Sequence, residues 1–296
     1  MIVVDYNQTA IGSFMAEAKG RGDVEPNLDL LRHMIINSIR SYNRRWGADF
    51  GELVIACDNR KYWRREVFPY YKAGRKATRQ KSGMDWNAIF DAVNLVRDEI
   101  AEVFPYPVID VDGAEADDVI GTLAELSQTL GEPGPLFEDE IVPIPFLIVS
   151  GDHDFKQLQK YANVKQYAPA QKKWVKITEP AEVVLREHII TGDKGDGIPN
   201  MLSADDCFVE GKRQTPIRKV KLNKWKYLPP EEWVSGQMAQ GYIRNSTLVD
   251  LTKTPEDIKE SIINNYKSQT GQDKSLLLDY FMRHRMKQMI DVIEDF

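Results

Sequence analysis

Nine carboxylates stand at positions from which they could serve a single site. Asp5 follows the apolar run Ile2-Val3-Val4, Asp58 follows Leu53 to Cys57, and Asp152 and Asp154 follow Phe146 to Gly151. Glu115, Asp117 and Asp118 cluster just after Tyr106 to Val111, and Asp193 and Asp196 lie in Gly192-Asp193-Lys194-Gly195-Asp196-Gly197. A lone aspartate at such a place caps a helix or turn as readily as it does chemistry. Asp112 followed by Glu115 also fits a capping box, and acids in a first helical turn are favoured by the macrodipole. Several carboxylates converging without a counter-ion would repel one another and raise their own pKa values. All nine are hard oxygen donors, a set that selects Mg²⁺ or Mn²⁺ over zinc. So many suit two ions, one activating water and one stabilising a leaving oxygen. Asp152-His153-Asp154 could open a calcium loop, but the required glycine and bidentate acid do not follow at the right spacing. His33, His153, His188 and His284 are scattered without metal-ligand spacing, and Cys57 and Cys207 form no CxxC pair.

The elements that would position these groups alternate. Ile2–Val4, Leu53–Ala56, Tyr106–Val111 and Phe146–Val149 are short continuous apolar runs, which predicts strands buried on both faces of a parallel sheet. Apolar residues at helical spacing predict helices over Leu28–Trp46, Trp86–Val103 and Ala114–Leu130. The alternation predicts an α/β fold: a mostly parallel central sheet flanked by helices, whose carboxyl edge is the usual ligand crevice. Beyond Glu179 the strand signals fade, so a smaller helical C-terminal domain is expected, with the division at 1–180 and 181–296. Residues 131–145, with four prolines and four acids, are expected to form an exposed loop.

Composition excludes several classes. No apolar run approaches a membrane span, MIVVDYNQ lacks the basic start of a signal peptide, and two cysteines argue for a reducing compartment. The formal net charge of −6 conceals two basic segments. Arg60 to Lys81 carries nine basic residues against one acid, and Glu210 to Lys226 carries seven against one. Such segments on an acidic protein can hold a polyanion in one groove and repel it elsewhere. Tyr62, Trp63, Phe68, Tyr70 and Tyr71 interleave the first segment and offer stacking surfaces for unpaired bases.

The ordered set Asp5, Asp58, Glu115-x-Asp117-Asp118, Asp152-x-Asp154 and Asp193-x-x-Asp196 resembles the acidic set of the 5′-nuclease superfamily, which includes flap endonucleases and the 5′-nuclease domains of bacterial DNA polymerases. Ser150-Gly151-Asp152-His153-Asp154-Phe155 and Gly192-Asp193-Lys194-Gly195-Asp196 carry the likeness most specifically. Tyr62-Trp63-Arg64-Arg65, Tyr70-Tyr71-Lys72, Asn163-Val164-Lys165-Gln166 and Lys172-Lys173-Trp174-Val175-Lys176 resemble the branch of T-even phage ribonucleases H. The likeness runs from Ile2 to about Glu210.

The resemblance implies one metal site from Asp5, Asp58, Glu115, Asp117 and Asp118 and a second from Asp152, Asp154, Asp193 and Asp196, holding two Mg²⁺ ions for which Mn²⁺ can substitute. It implies a basic bridge over the site at 60–85, where Lys72 and Arg75 reach the scissile phosphate as catalytic groups. Arg64, Lys76, Arg79, Lys194, Lys212 and Arg213 would join Lys72 and Arg75 in binding nucleic acid. Gly192 to Asn200 would open a helix–three-turn–helix-like element gripping duplex phosphates. The implied activity is 5′-to-3′ exonuclease, ribonuclease H and flap cleavage, on RNA–DNA hybrid, duplex, forked and flap DNA. The expected setting is removal of RNA primers by a monomer in the host bacterial cytoplasm, beside a single-strand binding protein and a sliding clamp. A non-catalytic binder of forked DNA would be expected to have lost carboxylates, and all nine are present. A PIN-like endoribonuclease would lack the basic bridge and the long helical C-terminal part. The chain departs from the superfamily at Gly197-Ile198-Pro199-Asn200 and in the bulky, charged stretch from Met201 to Arg213, where a phosphate could approach the backbone less closely.

Overall fold

The computed structural model describes residues 1–21, 25–133, 141–269 and 274–296. The strands are β1 (Ile2–Asp5), β2 (Leu53–Ala56), β3 (Val108–Ile109), β4 (Gly131–Pro133), β5 (Ile141–Pro143), β6 (Phe146–Val149), β7 (Val164–Ala168) and β8 (Lys173–Val175). The first eight helices are α1 (Tyr6–Arg21), α2 (Leu28–Phe50), α3 (Arg64–Val67), α4 (Gly74–Lys81), α5 (Trp86–Val103), α6 (Ala116–Leu126), α7 (Ala181–Thr191) and α8 (Lys219–Trp225). After them come α9 (Gln237–Val249), α10 (Glu256–Gln269), α11 (Leu277–Arg283) and α12 (Lys287–Ile290).

Six strands form one sheet in the order β3-β2-β1-β6-β7-β8, parallel except for the edge strand β8. Strand alternation divides the core into two layers. Ile2, Val4, Leu53, Ile55, Leu147 and Val149 face one layer, closed by residues of α1, α2 and α5. Val3, Val54, Ala56, Phe146 and Ile148 face the other, closed by α6 and α10. Both faces of β1, β2 and β6 are therefore covered, which is why these strands read as unbroken apolar runs. The polar ends of β1 and β6 and the residues after β2 emerge together at the carboxyl edge.

Helix boundaries follow capping chemistry. Asn27 Oδ1 accepts from Leu30 N (3.0 Å) to start α2, and Gly51, at φ +82°, ends it. Asp85 Oδ1 accepts from Asn87 N and Ala88 N at the start of α5. The C-terminal helices return to the sheet: α10 packs on the α6 layer, and Leu277, Tyr280, Phe281, Met286, Met289 and Phe296 enter the α2–α5 layer.

Several elements differ from the sequence expectation. The third strand is two residues long because Pro107 precedes it and Asp110 already turns away. The helix expected over Ala114–Leu130 runs from Ala116 to Leu126, since Glu115 is its cap. Within 131–145, β4 and β5 pair antiparallel on the surface, and 134–140 lie outside the described residues. Helix α1 and strands β7 and β8 were not foreseen. β7 hides its signal because a buried glutamine, Gln166, occupies a core-facing position. Among the described residues no helix is long and apolar enough to cross a membrane.

Candidate active site

The sheet delivers its acids as side chains with few competing partners. Asp5 accepts from Gln8 N and from Ser150 Oγ, each at 3.0 Å, and burial followed by the charge of Asp58 pushes its carboxyl up to about 7. Asp58 accepts from Asn7 Nδ2 (2.7 Å) and from Ala116 N (2.9 Å), so it also caps α6 from a neighbouring strand. Asp152 accepts from Asp154 N (3.0 Å), and the loop carrying both is propped from below by Gln166, whose amide donates to the carbonyls of Ser150 (3.0 Å) and Asp152 (2.6 Å). Burial, then Asp152, holds the Asp117 carboxyl well above the ordinary carboxylate range. Burial likewise lifts Asp154 to about 7 against the opposing pull of His188, and its Oδ1 is buried without a hydrogen bond. Desolvated carboxylates that raise one another's pKa form a site suited to a divalent cation, which would relieve both penalties at once.

The other expected acids meet protein cations. Asp118 is wholly buried, and both its oxygens are saturated. Oδ1 accepts from Trp63 Nε1 (3.2 Å) and Thr254 Oγ1 (2.7 Å), and Oδ2 from Arg64 Nη1 (2.8 Å) and Glu115 N (2.9 Å). Burial would raise its pKa, but Arg64 together with the hydrogen bonds from Glu115 N and Thr254 outweighs burial and holds the group below the ordinary range. Asp118 is thus a structural acceptor and has no lone pair left for a metal, which corrects its expected place among the ligands. Arg64 is corrected with it. It is 2% exposed, bonds Glu115 (3.0 Å), Asp118 and the carbonyl of Leu248 (2.9 Å), and cannot reach a phosphate.

Lys72 and Arg75 converge on the acids from the bridge. Lys72 Nζ lies 2.5 Å from Glu115 Oε1 and 3.5 Å from Asp196 Oδ2, and Arg75 pairs with Asp196 Oδ1. Their common direction does not come from a shared helix. Lys72 sits ahead of α4 at φ +56°, pinned by its own N–H to the carbonyl of Asp196 (2.7 Å). Tyr71 OH lies within reach of Glu115 Oε2 (3.0 Å) and Asp196 Oδ2 (2.9 Å).

Asp193 accepts from Asp196 N (3.0 Å), and the imidazole of His188, its Nε2 3.4 Å away, holds its carboxyl down to about 2. The loop carrying both acids can turn only because Gly192 stands at φ +67°, where a Cβ would meet the Ile198 carbonyl oxygen at 2.4 Å. His188, in the last turn of α7, places Nδ1 3.3 Å from Asp154 Oδ1 and Nε2 3.4 Å from Asp193 Oδ2. Burial would lower its pKa, but these carboxylates win and hold it above the ordinary imidazole range. The sequence showed no pattern around His188 because its two carboxylate neighbours come from separate segments; its place five residues before Asp193 was the one available clue.

The remaining basic residues divide. Lys76 is exposed on α4, whereas the guanidinium of Arg79 lies over the rings of Phe90 (4.6 Å) and Trp86 (5.5 Å). Lys194, Lys212 and Arg213 line a shallow cavity of about 410 Å³ with Phe208, Gly211 and Gln214. Lys226 is buried between Glu179 (2.8 Å) and Glu187 (2.7 Å). The stretch after Asn200 is a knitted loop: Asn200 Oδ1 accepts from Leu202 N and Ser203 Oγ, and Asn200 Nδ2 donates to the carbonyl of Thr215.

Comparison with known proteins agrees with this layout. The family model described as 5′-3′ exonuclease, N-terminal resolvase-like domain matches residues 1–188, and that described as T4 RNase H, C terminal matches residues 179–296. The chain is 32% identical to the ribonuclease H of Enterobacteria phage T4, over 99% of this chain and 95% of that protein. It is 29% identical to a 5′-3′ exonuclease of Streptomyces coelicolor, over 51% of each chain. Two bacteriophage T5 structures share the fold at 14% identity and TM-score 0.60: a 5′-exonuclease with bound zinc ions, and a flap endonuclease complexed with DNA and metal ions. The first alignment covers 91% of this chain and 97% of that one, the second 92% and 99%. With its acids gathered at the carboxyl edge of the sheet and both halves matched, the chain belongs to the 5′-3′ exonuclease family, whose members hydrolyse phosphodiester bonds.

Proposed function

We propose that the chain is a 5′-to-3′ exonuclease with ribonuclease H and flap endonuclease activity, dependent on two Mg²⁺ ions for which Mn²⁺ can substitute. The observation that carries this reading is the set Asp5, Asp58, Asp117, Asp152 and Asp154. Burial raises Asp5, Asp117 and Asp154, the negative charges of neighbouring acids raise each further, and one buried oxygen, on Asp154, accepts no hydrogen bond. Asp193 and Asp196 approach from the loop after α7, and Glu115 stands behind them, paired with Lys72 and Arg64. Bound divalent ions would supply an activated water and charge stabilisation at the leaving oxygen.

The protein's own groups do the rest. Gln166 and Ser150 fix the loop that carries Asp152 and Asp154, and Asn7 orients Asp58. Lys72 and Arg75 are proposed to exchange their contacts with Glu115 and Asp196 for the scissile phosphate once the acids are neutralised. Lys76, Lys194, Lys212 and Arg213 are exposed and proposed to track backbone phosphates, which position a duplex without reading its sequence. On this reading residues 1–180 carry most of the chemistry, and 181–296 add Asp193 and Asp196 and grip the duplex, the last part of the chain also bracing the sheet.

The substrates proposed are RNA–DNA hybrid, forked and flap DNA, and the task is removal of RNA primers and adjacent DNA during replication. The likeness to the ribonuclease H of phage T4 supports the nuclease part of that reading; work as a monomer in the host cytoplasm, beside a single-strand binding protein and a sliding clamp, is proposed with it. The test is a product ladder from a 5′-labelled RNA-primed duplex and a 5′-flap, with and without Mg²⁺. Short 5′-phosphate products that vanish in chelator are expected; unchanged cleavage in chelator would defeat the reading.

A further inference from the structure

We infer that α9 sets where the strand is cut: Asn245, on that helix, is a positioning residue that holds the loop after α7 at a fixed distance from the acids. The inference rests on the reading above, in which that loop and the basic residues around it grip the duplex.

Two sets of contacts meet on α9. The first ties the helix to the loop. Asn245 is fully buried, and its Nδ2 donates to the carbonyls of Ile189 (2.8 Å) and Pro199 (2.9 Å), one on each side of the turn that carries Asp193 and Asp196. Arg244 Nη2 donates to the carbonyls of Pro199 (2.8 Å) and Asn200 (3.1 Å), and its Nε donates to Asn245 Oδ1 (2.8 Å). A Cβ at Gly241 would stand 2.0 Å from the Met201 carbonyl oxygen, so glycine is what lets helix and loop touch.

The second set ties the same helix to the acids. Arg64, which pairs with Glu115 and Asp118, donates from Nε to the carbonyl of Leu248 (2.9 Å). Gln157 Nε2 donates to the carbonyls of Val249 (3.0 Å) and Asp154 (2.8 Å), and its Oε1 accepts from Leu251 N (2.9 Å). Gly241 to Val249 spans about 12 Å of helix, so one rigid element joins the grip to both groups of acids. Successive phosphates of a strand lie about 3.4 Å apart along a duplex. A Cβ at Gly241 would have to open the contact with Met201 by about 1 Å to reach even 3.0 Å, which is less than one such step. A shift of that size spreads cutting over neighbouring phosphodiesters. The competing role is a core amide that satisfies two carbonyls and sets nothing.

The experiment is single-turnover cleavage of a 5′-labelled flap duplex by the full chain in Mg²⁺ at saturating enzyme, read as the distribution of cut positions, with binding measured in Ca²⁺. The wild type is expected to cut mainly at one phosphodiester. Asn245→Ala and Gly241→Ala should each lower the share of that product by about half or more in favour of its neighbours, and slow the reaction about tenfold or more. Their dissociation constants should stay within about threefold of wild type, because the phosphate contacts remain. Gly241→Ala removes no hydrogen-bonding group and favours the helix itself, so an altered cut there reports the displaced loop. Val96→Ala, a truncation in the core layer of α2 and α5, should melt lower and keep the wild-type cut position. Folded Asn245→Ala and Gly241→Ala proteins that cut where the wild type cuts overturn the inference and leave the nuclease reading intact. Failure of both to fold, an equal shift in Val96→Ala, or wild-type cutting spread evenly over many positions overturns it as well. No cleavage by the wild type defeats both readings.

Discussion

Replacing Arg64 separates the structural role found for it from the nucleic-acid contact its sequence context suggests. Arg64→Met keeps most of the side-chain volume but strips the guanidinium from a pocket where Glu115 is 1% exposed and Asp118 is fully buried. Glu115 retains Lys72 and Tyr71, whereas Asp118 retains only neutral donors. Removing one partner of a buried ion pair costs about 3–5 kcal/mol, and orphaning the Leu248 carbonyl adds about 1 kcal/mol. The expected loss is therefore roughly 4–6 kcal/mol, a large share of the ~5–15 kcal/mol that holds a typical protein folded. Urea unfolding at neutral pH measures it as a lower midpoint with an unchanged slope. In parallel, the salt dependence of duplex binding should be unaffected in protein kept folded at low temperature. Wild-type stability, combined with a salt slope shallower by about 0.9, would mean that Arg64 neutralises a phosphate and that the burial argument fails.

Three further outcomes follow from the site. Asp5 and Asp154 are lifted to about 7 in the metal-free chain, above their unfolded values, so the folded state binds more protons between about pH 4 and 7 and loses stability as pH rises through that window. Metal-free protein should therefore melt higher at pH 5.5 than at pH 7.5 and saturating Mg²⁺ should erase the difference; a melting point that rises with pH in chelator contradicts this. Neutralising Lys194, Lys212 and Arg213 together should reduce the slope of log K against log salt by about 0.9 for each duplex phosphate released, and an unchanged slope would leave the cavity they line a solvated surface. Lys72→Ala should lower the single-turnover rate at saturating enzyme by about 10²–10³ and change binding in Ca²⁺ only slightly, because Glu115 keeps Arg64 and Tyr71; full rescue at high enzyme concentration would reduce Lys72 to a binding residue.

Much of the catalytic edge was legible because each acid follows an apolar run that had to be a buried strand. Ile2-Val3-Val4 before Asp5, Leu53 to Cys57 before Asp58 and Phe146 to Val149 before Asp152 leave those acids at one end of a parallel sheet. What the sequence hid were contacts between elements. Asp118 carries the same motif as Asp117, but only the fold shows Trp63, Thr254 and Arg64 closing around it. Arg64 belongs by sequence to a basic run, and its burial depends on the approach of α9 through Leu248. Arg79 likewise left that run to lie over Phe90. His188 and Gln166 lacked any local pattern, since each acts on carboxylates or carbonyls from other segments. β7 was obscured for the same reason: a strand that buries an amide to prop a catalytic loop does not read as apolar.

The most direct test of the central claim is Asp152→Asn, assayed for single-turnover cleavage of an RNA-primed duplex in Mg²⁺ and for binding to the same duplex in Ca²⁺. Phosphate contacts by Lys and Arg supply most of the affinity, and the carboxylates supply the chemistry. The account predicts that cleavage disappears while the dissociation constant stays within about threefold of wild type. Undiminished cleavage by the Asp152→Asn protein would contradict it.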